Sequence, residues 1–208
     1  MHISVAERKH TKQWATAVSN LLNPLVVVIP LFIVLSAGSP NRLMVLGIAA
    51  IFFSLLPLSV LLVFKRVGKI KTLEIRKRQN RHYPFIFGIL CYVFGYFMLV
   101  VQFGTNGLLQ AAGFTLAVSS VITALITLWW KISIHSTAIS ISSVFLLFAL
   151  SPFESAGGFI TSLLVAILVC AAIIWSRVTL RAHSPAQTIA GILFGLFLGI
   201  VILSIYPI

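Results

Sequence analysis

At 208 residues, 60% apolar and 9% charged, with a mean hydropathy of +1.10, the chain is too apolar for a soluble domain of its length, which is usually nearer half apolar and a quarter charged. Its acids are Glu7, Glu74 and Glu154, with no Asp, which excludes chemistry run by aspartate clusters: Asp-rich prenyl transfer, CDP-alcohol phosphotransfer and intramembrane aspartyl proteolysis. The net charge of +12 reads as a membrane-topology signal rather than a nucleic-acid one, because Lys and Arg mark cytoplasmic loops and meet anionic headgroups.

Residues 1–16 are polar and basic, with Arg8, Lys9 and Lys12. The first apolar run, Ala17 to Ser36, carries Asn20, Asn23, Pro24 and Pro30. A leader cleaved near Ala37 is the competing reading, disfavoured by the run's length and its two prolines. The second run is Leu43 to Phe64. The most polar stretch follows, residues 65–84, with eight Lys or Arg. Runs three and four, Phe85 to Phe103 and Gly107 to Trp130, flank a Gly-Thr-Asn turn. Run five starts near Lys131 and ends at Leu150. Ser151 to Gly158 reads as a loop, and run six is Phe159 to Trp175. A polar connector, Ser176 to Pro185, leads to run seven, Gln187 to Tyr206.

A spanning helix needs about 20 apolar residues, so these runs predict an all-α, polytopic bundle of about seven transmembrane helices, in one membrane domain covering residues 1–208. Cys91 and Cys170 sit inside apolar runs and read as small core residues, and Tyr92 and Tyr96, on one helix face, as packing. Gly191, Gly195 and Gly199 form a small-xxx-small ladder that favours close helix approach. Contact within the chain is the preferred reading of that ladder; a homo-oligomer contact stays open.

Counting loops from the N-terminus puts fourteen of the fifteen Lys and Arg on one side, with Arg42 alone on the other. The positive-inside rule therefore places the N-terminal segment and the loops after runs two, four and six in the cytoplasm. The imbalance survives removal of every cation with a candidate site role.

The groups that carry chemistry fall on that same side. Lys71, Arg78 and Arg81 follow run two; Lys131, Ser133 and His135 open run five; Ser176, Arg177 and His183 follow run six. Cations, two His and hydroxyls converging at a membrane face suit a phosphate ester. Arg and Lys neutralise the anion, and Arg can bind it through a bidentate fork. A helix N-terminus near Ser133 adds N–H groups and a favourable dipole. An imidazole titrates near neutrality and can attack phosphorus or carry a proton. Beside Trp129 and Trp130, Lys131 reads as an interfacial anchor rather than a ligand.

Ser176-Arg177-x5-His183-x3-Gln187 resembles the third motif, S-R-x5-H-x3-D, of the type-2 phosphatidic acid phosphatase superfamily. Ser133-Ile134-His135 resembles the second, P-S-G-H, and Lys71-x6-Arg78 the first, K-x6-R-P. Order and sidedness also match, over about residues 65–200. The resemblance implies a six-helix core and a metal-independent lipid phosphate or diphosphate phosphatase with no cofactor. It makes His183 the nucleophile that forms a phosphohistidine and His135 the acid for the leaving group. Lys71, Arg78, Ser133, Ser176 and Arg177 would hold phosphate oxygens, with Arg81 sharing the first motif's role. The expected partners are membrane lipids and an amphiphilic lipid phosphate or isoprenyl diphosphate substrate, with no nucleic acid.

The sequence departs from the family's motifs at four places. Gln187 stands where an Asp orients the nucleophile; its carbonyl can accept an imidazole N–H but adds no charge. Ile134 replaces a Gly, restricting a backbone meant to wrap phosphate. Gln79 follows Arg78 in place of Pro, and no Pro precedes Ser133. These departures motivate the alternative of a catalytically inactive, phospholipid-binding or transporting relative. An unrelated transporter is the third reading; it would place polar groups at mid-membrane rather than at helix ends.

Overall fold

The computed structural model describes residues 5–69, 82–105, 107–151 and 155–206. Every regular element among them is helical: α1 (Val5–Leu21), α2 (Pro24–Leu35), α3 (Arg42–Ala50), a π turn (Ile51–Leu55), α4 (Leu56–Arg66), α5 (His82–Phe103), α6 (Leu108–Trp129), α7 (Ile134–Leu150), α8 (Ala156–Thr179) and α9 (Pro185–Ile205). By length and composition five of these units can cross a membrane: Arg42–Arg66 as one continuous span, Tyr83–Phe103, Leu108–Trp129, Ala156–Thr179 and Pro185–Ile205. The α1–α2 pair, bent by 46°, makes a sixth when counted as one broken span, and α7 is a shorter apolar helix of 17 residues. The protein is a multi-pass membrane helix bundle.

The first run is therefore not a simple span. Two helix-start signals lie inside it: Asn23, whose side chain accepts from Leu25 N–H at 3.0 Å, and Pro24 at the first helical position. An N-cap followed by Pro begins a new helix whatever the surrounding hydropathy. The second run is continuous but carries a wide turn just before Pro57, whose missing N–H would leave a gap in a regular α-helical ladder. There Leu56 N–H reaches back to Ile51 C=O. Ser54, within that turn, donates to Leu25 C=O of α2 at 2.5 Å.

α7 is the hub, packed by α2, α6, α8 and α9. Against α9 it presents Ser133, Ser136, Thr137 and Ser140, which face Gly191 and Gly195, while Val144 faces Gly199. Small residues on both helices let the backbones meet, as the ladder reading within the chain expected. The larger core lies among α2, α3, α5, α6, α7 and α9, around Phe32, Phe53, Leu99, Leu116 and Phe145. Phe32 stacks on Phe53 at 5.3 Å between centroids, and Tyr92 tilts against Phe53 at 5.1 Å. Tyr96 packs on Phe114 and shares a hydrogen bond of 3.2 Å with the Tyr206 hydroxyl.

Candidate functional site

The convergence starts from helix ends. The α1–α2 elbow, the N-terminal part of α5 and the α6–α7 and α8–α9 connections border one cavity of about 720 Å3. At one end stand Lys131, His135, Arg177 and His183, with Asn20 and Asn23 of the elbow. The rest of the wall is mostly apolar, from α2, α4 and α5 with Leu25, Ile29, Leu58, Leu61, Phe85 and Ile89, and it also carries Ser54, Tyr92, and Ser120 and Thr123 of α6. The cavity thus joins a cationic, imidazole-bearing end to an oily body. Glu7 is the one acid among the described residues and is not part of this wall, so the polar end has a net positive charge.

His183 is fixed by the way α8 stops. The helix closes with Arg181 N–H on Val178 C=O at 2.9 Å and Ala182 N–H on Arg177 C=O at 3.0 Å. This is a Schellman cap, and its left-handed position, usually Gly, is Arg181 with φ 52°. The Lys131 ammonium donates to Ala182 C=O at 2.5 Å, pinning the connector from the α6–α7 side. His183 follows directly, 8% exposed. His135, in the first turn of α7, is half-buried on the same cavity.

Arg177 is 4% exposed, in the last turn of α8, and donates through Nη1 to Ser19 Oγ at 2.6 Å. Its neighbour Ser176 faces away from the cavity: its hydroxyl, fully buried, donates to Ala15 C=O of α1 at 2.7 Å. Ser133 is also fully buried. It caps α7, accepting from Ser136 N–H at 3.4 Å and from the Ser136 hydroxyl at 2.9 Å. Its own N–H reaches Gln187 C=O at 3.3 Å, so the N-termini of α7 and α9 lie side by side. The Gln187 side chain closes a capping box: Oε1 accepts from Ser184 N–H at 3.1 Å, while Ser184 Oγ accepts from Gln187 N–H at 3.3 Å.

The structure therefore brings His135, Arg177 and His183 to one cavity. It engages Ser133, Ser176 and Gln187 in caps and helix packing, where the motifs expected phosphate contacts and a hydrogen bond to the imidazole. Lys71, Arg78 and Arg81 lie outside the described residues. Sequence reasoning treated Lys131 as an anchor, yet it borders the cavity and holds the connector. It also passed over Ser19, Asn20 and Asn23. Two Asn in an apolar run were the available signal, since amides are costly in hydrocarbon unless they serve something. Comparison of the chain with protein-family models, with curated proteins and with solved structures gives no match.

Proposed function

We propose that this protein is a membrane lipid phosphate or diphosphate phosphatase working through a phosphohistidine, with its site at the cytoplasmic face. The observation that carries the reading is the single cavity in which two imidazoles and two cations adjoin an apolar body. An amphiphilic phosphate matches both halves: the anion is held by Arg177 and Lys131, the chain by the α2–α4–α5 wall. An imidazole nitrogen of His183 attacks phosphorus as the bond to the leaving oxygen breaks, and His135 donates the proton that oxygen needs. Water then attacks the phosphohistidine with His135 as base, releasing phosphate and restoring His183. The fixed cations supply the charge stabilisation that a metal supplies elsewhere. Sidedness rests on the fourteen Lys and Arg that loop parity puts on one side.

Phosphate release from phosphatidate, phosphatidylglycerol phosphate and isoprenyl diphosphate, in purified protein against His183→Ala, tests this. Release by the wild type at least about a hundredfold above the variant is expected on one of these substrates; equal release on all of them defeats the reading. A second reading, a phospholipid-binding protein without turnover, is favoured by one observation: the Gln187 carbonyl is engaged by Ser184 N–H. It predicts saturable lipid phosphate binding with no release.

A further inference from the structure

α1 is a polar helix with a narrow buried seam. Ala15 and Ser19, one turn apart, are 0% and 1% exposed, whereas Trp14 is 69% exposed and Thr16, Ala17 and Asn20 are also exposed. Residues four apart share a helix face, so these two define the edge that α1 lays on α8. Both meet the same dipeptide. The Ala15 carbonyl accepts from Ser176 Oγ, and Ser19 Oγ accepts from Arg177 Nη1. These two bonds join residues 161 and 158 positions apart. A helix that served only to fill space would bury apolar side chains there. This one buries a carbonyl and a hydroxyl acceptor against a hydroxyl and a guanidinium.

A guanidinium carries five N–H donors in a fixed plane. Committing one edge of that plane to a buried acceptor sets the orientation of the rest. Arg177 also borders the cavity, so the acceptor on α1 determines how the cation addresses whatever anion enters. Both the hydroxyl and the guanidinium are taken out of solvent, which strengthens the bond and makes its loss costly.

We infer that Ser19 is a positioning residue for Arg177, so that α1 belongs to the anion-binding site although it lies outside all three motifs. The inference rests on the reading of the cavity as a lipid phosphate site. Ser19 touches no reacting atom in this scheme; it acts through the guanidinium.

The test is a double-mutant cycle on the full chain in mixed micelles, with hydrolysis of a lipid phosphate and thermal protection by a non-hydrolysable lipid phosphonate as readouts. Ser19→Cys keeps the seam filled but offers a weak acceptor. It is expected to raise KM about tenfold, to change kcat less than about threefold, and to lose most of the phosphonate protection. In an Arg177→Ala background the same substitution is expected to change neither readout by more than about twofold, because the guanidinium it is inferred to position is gone. A Ser19→Cys protein with unaltered KM and protection overturns the inference. So does an effect that persists undiminished beside Arg177→Ala, since that marks Ser19 as a packing residue. These results leave the site reading intact if Arg177→Ala alone weakens protection. A wild type that neither hydrolyses the phosphate nor gains protection from the phosphonate removes the site reading and the role of Ser19 together.

Discussion

Replacing Gly195 by Ala puts the α7–α9 contact to a quantitative test that needs no ligand. The added methyl would collide with Ser140 Oγ and lie 2.5 Å from the Thr137 carbonyl oxygen. The Ser140 hydroxyl can rotate away, giving up its bonds to the Ser136 and Thr137 carbonyls, a loss of about 1 kcal/mol. The Thr137 carbonyl belongs to the helix and cannot rotate. α9 must back off by about half an ångström to reach the 3.0 Å that real Cβ contacts respect, and overpacking of this kind costs about 1–3 kcal/mol. Against it stands the better helix propensity of Ala, worth up to about 1 kcal/mol. The net expectation is a loss of about 2 kcal/mol. Gly47, with nothing within 4 Å of its added methyl, supplies the control: Gly47→Ala is neutral or stabilising by up to about 1 kcal/mol. Reversible unfolding in mixed micelles, titrated with a denaturing detergent, measures both. Equal unfolding free energies for Gly195→Ala and Gly47→Ala would refute the close-approach argument. Gly199→Ala falls between them, because its methyl meets Val144 Cβ and Cγ1 at 3.2 Å, tighter than an ordinary contact but short of a collision.

Three further outcomes follow from the connections around the cavity. Arg181→Gly stabilises the protein by about 1 kcal/mol in the same titration, since the left-handed position then carries no Cβ; destabilisation would mean the cap is built differently. Gln187→Ala costs about 1 kcal/mol by opening the capping box, while Gln187→Glu, which keeps the acceptor and adds charge at a helix N-terminus, stays within about 0.5 kcal/mol of wild type or above it; equal losses in the two variants would count against the box. Lys131→Met frees the Ala182 carbonyl, so backbone hydrogen exchange in the 180–184 connector rises about tenfold, and Lys131→Arg moves it less; unchanged exchange in Lys131→Met would show that the ammonium does not hold the connector.

Hydropathy read the bundle and most of its helix ends closely, because long uncharged runs have few folded alternatives in a membrane, but α1 begins at Val5, inside the stretch read as a polar N-terminal segment. Two internal features escaped it. The Asn23–Pro24 break lies within a run whose average remains apolar, and the π turn before Pro57 leaves the run's composition unchanged. Motif spacing located Arg177, His183 and His135 at one end but could not tell a side chain aimed at the cavity from one turned into a helix contact. Ser176 and Ser133 have the motif positions and point into packing and a cap. The Gln187 box was legible, as a Ser followed three residues later by Gln before an apolar run, but the resemblance to the phosphatase motif and the cap claim the same side chain. The Ser19–Arg177 bond was not legible at all, because nothing local in the sequence pairs residues at opposite ends of the chain.

The brevity of α7 has a consequence for the lipid around the protein. Its 17 residues rise about 25 Å, short of the roughly 30 Å of a typical hydrocarbon core. Centred in such a bilayer, its first turn would sit about 2 Å beneath the boundary where acyl chains give way to headgroups. α7 tolerates the shortfall because neighbouring helices rather than lipid surround it. His135 shares its depth, so on the proposed phosphatase reading a phosphate reaching it must sink or the leaflet must dip, at a modest cost for each ångström of mismatch. On that proposal bilayer thickness acts as a variable of the site: shorter acyl chains bring the headgroup plane toward the imidazole, and longer ones draw it away.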